Sequence, residues 1–411
     1  MSKKILLIGG TGIVGTAMMK AAIEKNYHIT VITNNDTEVL PQGVVHITAD
    51  KQSPNYEQQL EALPWFDFVY DIIEYGLDDA RNTHQIFKDK TDHIIVLSTT
   101  LIYDREKVCS APIAESNPNI ASQLYGGYVD SKLQVEKFWL NQTDVNVTLL
   151  RTYHILGPGS LLGCLPMHNR DPLIVQRIQS GETLQLFNGG NVPLNFIHPR
   201  DLADAAIGVA NNSQCYHKVY NALNPKVYLV KDYYKQLAAL LGEDITIEDI
   251  DYQEAYGQGW EMTMLPHCYD ISALQRDSGF NPTIGLDVGL RDALPSYPPA
   301  ITDTAQIPVF KAMNKGANPK QIPWLSTMPA LSDEKALWNK VYDSYKPEVL
   351  PWTGHKFPAA VATILKRCFR ACHTFVVGCG VGDTLDKLAQ LDFSAQRLTG
   401  TDISASAIEQ A

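Results

Sequence analysis

No apolar stretch of the chain reaches the roughly 18–20 residues a membrane-spanning helix requires. Lys3 and Lys4 precede a short apolar run, as in a secretory leader. That run breaks into Gly9-Gly10 and has no small-residue cleavage site, so it reads as a buried first strand and the expected location is cytoplasmic. Cysteine is sparse. The seven residues (Cys109, Cys164, Cys215, Cys268, Cys368, Cys372 and Cys379) are odd in number and form no CxxC pair, which excludes a disulfide framework. Cys368 and Cys372 stand four apart on an expected helix with no second ligand pair at zinc spacing, so both read as packing residues and no metal is expected. There is no basic run with interleaved aromatics, and the net charge is −11, which argues against nucleic acid as a partner. No internal repeat or low-complexity tract is present.

What is present is a long alternation of strand and helix patterns. With 411 residues, more than one domain is expected. Short apolar runs fall at 5–8, 28–33, 44–48, 68–73, 93–98 and 145–150, and helical patterns at 13–25, 56–62, 77–88 and 122–141. This order predicts an α/β fold, a Rossmann-type doubly wound parallel sheet covered on both faces. Helices at 201–210 and 231–241 and strands at 219–221 and 245–250 suit a smaller mixed lobe. The expected division is 1–295 for sheet plus lobe, a proline-rich linker at 296–330, and a third patterned region at 331–411.

Between the first strand and helix stands Gly9-Gly10-Thr11-Gly12-Ile13-Val14-Gly15. Glycine is needed where the backbone turns sharply, or where a Cβ would block a pyrophosphate or a helix–strand contact. The helix that follows offers free N–H groups and a positive dipole end to phosphate. Gly9, Thr11, Gly12, Ile13 and Gly15 are therefore candidate dinucleotide-binding residues. A carboxylate after the second strand would hold the ribose of NAD, and an arginine would favour NADP. Asn34 and Asp36 stand there; Asp36 is either that acid or a turn-capping residue, which leaves NAD and NADP both open. Asp50, after the third strand, is a candidate for the adenine amino group.

Leu97-Ser98-Thr99-Thr100-Leu101-Ile102-Tyr103 closes the fifth strand pattern, and Tyr128-Val129-Asp130-Ser131-Lys132-Leu133 lies in the long helix. Tyr128 and Lys132 are four apart and share one helix face. A free phenol has a pKa of about 10, and a nearby ammonium lowers it toward use at neutral pH. Together with the glycines, with Glu136, with Arg151 and Gly157-Pro158-Gly159, and with Asn195-Phe196-Ile197-His198-Pro199-Arg200-Asp201-Leu202, this series resembles the extended short-chain dehydrogenase/reductases of the NAD-dependent epimerase/dehydratase type over about residues 3–295. The resemblance implies catalytic roles for Thr99, Tyr128 and Lys132, with Lys132 also on the nicotinamide ribose, a small-molecule substrate, and a homodimer. Thr100-Leu101 stand where dehydratases of this type carry Asp-Glu. Leu194 stands where many sugar-nucleotide epimerases carry a diphosphate-binding arginine; Arg200 or Arg170 could substitute, or Arg200 could be a surface residue at a helix start. The stretch 66–72 is also similar to the chloroplast stem-loop-binding branch of this superfamily.

From about Leu331 the chain resembles class I S-adenosylmethionine methyltransferases. Phe375-Val376-Val377-Gly378-Cys379-Gly380-Val381-Gly382 is similar to their glycine-rich first motif, and Thr401-Asp402-Ile403-Ser404 to the end of their second strand. The resemblance implies S-adenosylmethionine at Gly378, Gly380, Gly382 and Asp402. Two strand patterns are too few to close such a sheet, so the segment is expected to be truncated or vestigial. The function expected is an NAD(P)-dependent oxidoreductase or epimerase acting on a carbonyl or secondary alcohol. The alternatives are a catalytically silent Rossmann module binding RNA or a protein, and a bifunctional reductase–methyltransferase.

Overall fold

The computed structural model describes residues 2–34, 40–51, 53–104, 112–118, 127–163, 173–250 and 267–297, and two short strands at 374–377 and 398–401. The chain divides into two units, residues 1–312 and 313–411.

The first unit is built on a seven-stranded parallel sheet in the order β3-β2-β1-β4-β5-β6-β9. The strands are β1 (Lys4–Ile8), β2 (His28–Thr33), β3 (Val45–Thr48), β4 (Phe68–Asp71), β5 (His93–Thr99), β6 (Asn146–Thr152) and β9 (Lys218–Asn221). The helices of the sheet region are α1 (Ile13–Glu24), α2 (Tyr56–Leu60), α3 (Leu77–Phe87), α4 (Gly127–Leu140) and α6 (Pro199–Val209). Strands buried on both faces must be apolar, as β1 is from Ile5 to Ile8 after the exposed Lys4. Its alternate side chains separate two cores. Ile5 and Leu7 join Val31, Tyr70 and Ile95 with residues of α1 and α6. Leu6 and Ile8 join Ile32, Val69 and Ile94 with Val135 and Trp139 of α4. The strand order reverses between β1 and β4, which opens a crevice at the carboxyl ends of the strands.

The smaller lobe has its own core, including Leu156, Leu186, Phe196, Tyr233 and Leu290. It contains α5 (Ile174–Gln179), β7 (Leu184–Phe187), β8 (Pro193–Leu194), β10 (Tyr228–Leu229), α7 (Val230–Leu241), β11 (Ile247–Ile250) and α9 (Leu286–Ala293), while α8 (Ser272–Ser278) packs back against α6. Helix α7 stops at Gly242, which takes the left-handed conformation (φ 76°) that ends many helices. Two expectations are corrected here. The helix at 201–210 and the strand at 219–221 belong to the sheet and not to the lobe: α6 packs on α1, and β9 pairs in parallel with β6 and closes the main sheet.

In the second unit β12 (Thr374–Val377) and β13 (Leu398–Thr401) pair in parallel, with Val377 opposite Thr401. Gly378, Gly380, Gly382 and Asp402 lie outside the described residues, as does Asp36. No helix among the described residues is long and apolar enough to cross a membrane.

Candidate active site

The glycine loop leaves β1 and enters α1. Gly9 has φ +84°, and a Cβ there would sit 2.5 Å from Ile73 Cγ2, so the loop is pressed against the end of β4. A Cβ on Gly15 would fall 2.3 Å from the backbone of Gly10, which makes this glycine a requirement of helix–strand packing. Gly12 differs. It is exposed, and a Cβ there would meet only Gly9 O at 3.9 Å. Gly12 is also the N-cap of α1 and offers no capping side chain, so no side chain of the cap occupies the first N–H groups of the helix. That combination fits a phosphate, and a pyrophosphate in particular. Thr11 and Ile13 are half-buried on either side of Gly12, and Ile13 Cγ1 would lie 3.6 Å from a Cβ on Gly159, so the loop after β6 meets α1 at the same place. Asn34 is exposed directly after β2, and Asp50 is exposed after β3.

Thr99 is the last residue of β5 and is almost buried. Its Oγ1 accepts the Leu101 N–H at 3.2 Å, so its hydroxyl proton can be donated elsewhere. Helix α4 packs on β5, β6 and the turn at Thr100–Ile102. On it Tyr128 is 43% exposed, whereas Lys132, one turn on, is buried. Lys132 Nζ donates to the carbonyl of Leu97 at 3.0 Å and to the carbonyl of Glu74, so its ammonium lies between the carboxyl ends of β5 and β4. Burial lowers the lysine's pKa, and the nearby Glu74 and Asp71 oppose that effect. The ring of Tyr75 lies 5.4 Å from Nζ. Thr99, Lys132 and the glycine loop are thus gathered at the ends of β5, β4 and β1.

Beneath the site runs a buried network that joins residues the sequence showed only singly. Arg151 Nη2 and Nε donate to the two oxygens of Glu136 at 2.6 and 2.9 Å, and Ser98 Oγ donates to Glu136 at 2.5 Å. Arg151 Nη1 donates to Tyr103 OH at 2.7 Å, and Tyr103 donates to Asn221 Oδ1 at 2.8 Å. Burial raises the Tyr103 phenol to about 12, and Arg151 works against that rise. The network ties α4, β5, β6 and β9 together below Thr99 and Lys132.

Arg200 is engaged elsewhere. It makes a bidentate pair with Glu24 at the end of α1 (2.8 and 2.6 Å) and reaches Asp204 at 3.2 Å. This is the surface role. Leu194 is buried in β8, and Arg170 lies outside the described residues. A second buried cluster, Lys51 with Asp71 and Glu74, was not anticipated; its signal was two acids, Asp71 and Glu74, following an apolar strand.

The chain belongs to the NAD dependent epimerase/dehydratase family, whose pattern it matches over residues 5–124 and 84–222. Among its relatives, the chloroplast stem-loop binding protein of 41 kDa b from Arabidopsis thaliana is 22% identical over 238 residues, covering 54% of this chain; the chain spans 59% of that relative's length. UDP-N-acetyl-alpha-D-glucosaminuronate decarboxylase from Bacillus cytotoxicus is 18% identical, over 72% of this chain and 97% of its own. In structure the chain is similar to UDP-glucose 4-epimerase from Thermotoga maritima (TM-score 0.58, 17% identity, 71% and 97% coverage). It is also similar to the WbmF enzyme of Bordetella bronchiseptica in complex with NAD+ (TM-score 0.55, 18% identity, 76% and 96% coverage). These likenesses establish a Rossmann-type α/β fold.

Proposed function

We propose that the chain is an NAD- or NADP-dependent oxidoreductase or epimerase acting on a carbonyl or secondary alcohol of a small molecule. The observation that carries this reading is the seat of Lys132, one helical turn from an accessible Tyr128, whose Nζ is held by the carbonyls of Glu74 and of Leu97, two residues before Thr99 on β5. The family assignment and the open space at Gly12 support the cofactor. Gly9, Thr11, Gly12, Ile13 and Gly15 would hold the pyrophosphate, Asn34, Asp36 and Asp50 the adenosine end, and Lys132 the nicotinamide ribose. When bound, the cofactor supplies a hydride acceptor or donor. Thr99 donates its hydroxyl proton to the substrate oxygen and fixes it. Tyr128 takes up or returns a proton at its phenol oxygen, and the Lys132 ammonium favours the phenolate.

Leu194 and the engagement of Arg200 by Glu24 and Asp204 support a substrate without a nucleotide diphosphate, since leucine makes no charge-assisted bond to phosphate. The test is a fluorescence titration of the whole chain with NADH and NADPH. Micromolar affinity for one form is expected, and Tyr128→Phe should keep that affinity within a few-fold while removing turnover. Absence of binding to both by a folded, cofactor-free chain would favour a binding module instead. The second unit carries a separate reading. The parallel β12–β13 pair supports the first strand–crossover–strand unit of an S-adenosylmethionine-binding domain, and a titration with S-adenosylmethionine tests it.

A further inference from the structure

Four ionisable side chains lie out of water at the carboxyl end of β4. Asp71 and Glu74 are fully buried, and the Lys51 and Lys132 side chains are nearly so. Asp71 is well served: Lys51 Nζ reaches its Oδ2 at 2.6 Å, Thr83 Oγ1 donates to the same oxygen at 2.8 Å, and the Ile73 N–H donates to Oδ1 at 3.2 Å. Glu74 is not. Its Oε2 accepts one hydrogen bond, from Trp139 Nε1 at 2.5 Å, and its Oε1 has no partner. Its backbone carbonyl accepts from Lys132 Nζ. Glu74 therefore meets α4 at two levels, through its carbonyl at Lys132 and through its carboxyl at Trp139.

A carboxylate so placed is costly, because a charged oxygen at full burial with no protein donor bears its full desolvation cost. A neutral Glu74 carries its own cost, since it leaves two buried ammonium groups facing one carboxylate. Each proton state of Glu74 thus favours a different charge at the neighbouring lysine.

We propose that Glu74 is a positioning residue for Lys132, a buried acid whose gain or loss of one proton sets the net charge around the lysine ammonium. The proposal rests on the role given to Lys132 above. One proton passes between Glu74 and solvent, and no other bond is made or broken. The charged and titratable groups facing Glu74 are Asp71 on β4, Lys51 after β3, Tyr56 from α2, Tyr75 beside it and Lys132 from α4, with Asp79 of α3 and Glu136 of α4 acting through them. Burial first, and then Asp71, push the Glu74 carboxyl up to about 8, while Lys51 and Lys132 pull it down.

The experiment is a pH titration of intrinsic fluorescence on the whole chain, without cofactor, with Trp139 as the reporter hydrogen-bonded to Glu74. A transition on the alkaline side of neutrality is expected. It should vanish in Glu74→Gln and in Trp139→Phe. In Lys132→Met its midpoint should move up by about half a pH unit or more, because the lysine's charge favours the ionised acid. If Lys132→Met does not fold, Lys132→Gln serves the same comparison. Absence of a Glu74-dependent transition would overturn the proposal, and so would a midpoint indifferent to the charge at residue 132. Failure of the chain to bind NADH or NADPH would sink the nicotinamide reading by itself, because this titration is read without either.

Discussion

At the scale of single residues, two glycines of one loop make opposite demands. Gly12 has open space where a Cβ would go, and Gly15 has the backbone of Gly10 there. Gly12→Val should therefore fold and melt close to wild type, yet lose cofactor affinity at least about 100-fold, because the new side chain takes the pyrophosphate's place. Gly15→Ala should instead lose the fold itself. Unchanged NADH affinity in Gly12→Val would contradict the assigned phosphate loop. His93 gives a pH prediction. Its Nδ1 lies 3.0 Å from the Asn211 N–H, so it must accept there. Its Nε2 lies 2.9 Å from Thr148 Oγ1, whose own proton goes to the Cys215 carbonyl at 2.7 Å, so Nε2 must donate. Both nitrogens are committed as a neutral ring, and burial, with His217 and Lys3 adding to it, lowers the pKa from 6.5 to about 3. The unfolded chain binds the proton more readily, so stability from this residue is present above pH 6.5 and is lost as pH falls toward 3. The loss approaches about 1.4 kcal/mol per pH unit. Urea denaturation at several pH values should show a shallower pH slope for His93→Gln than for wild type.

At the scale of elements, what was legible in the sequence was local. The glycine spacing between β1 and α1, the one-turn spacing of Tyr128 and Lys132, and the apolar runs of β1, β2 and β5 all follow from neighbours along the chain. Pairings between distant elements were not legible. Glu136 and Arg151 were each recognisable, but their ion pair depends on α4 lying across β5 and β6. Lys51, Asp71 and Glu74 meet only because β3 and β4, with two strands between them in the sheet, run parallel and finish at the same carboxyl end. Strand β9 was misplaced for the same reason. Four residues of moderate hydropathy look alike in a lobe and in a sheet, and only the pairing with β6 decides. Two predictions belong here. Arg151→Met leaves Glu136 buried without its partner, and should cost about 3–5 kcal/mol in a urea titration. Arg200→Ala removes a pair at the surface and should leave NADH affinity and substrate KM unchanged, with a small drop in melting temperature. A raised KM would return Arg200 to the substrate site.

At the scale of the whole molecule, the sheet and the lobe are not successive pieces of chain. After β6 the chain passes into the lobe, forms α5, β7 and β8, lays α6 against α1, and only then returns as β9 beside β6. Asn221, the last residue of β9, accepts the hydrogen bond of Tyr103 at its Oδ1 and donates through Nδ2 to the carbonyls of Ile113 and Asp270, 3.0 Å from each. The resemblance to extended dehydrogenases leads to the expectation of a homodimer, which light scattering would show as twice the chain mass. The chain's path also bears on synthesis. A nascent chain halted before Lys218 already carries the glycine loop, Tyr128 and Lys132, but its sheet still lacks the strand that covers β6. Such an intermediate offers an open strand edge to any neighbouring chain, and from the end of β6 some 65 residues, α6 of the sheet region among them, separate that edge from the strand that closes it. The period of greatest aggregation hazard during synthesis therefore falls between the emergence of β6 and the emergence of Asn221.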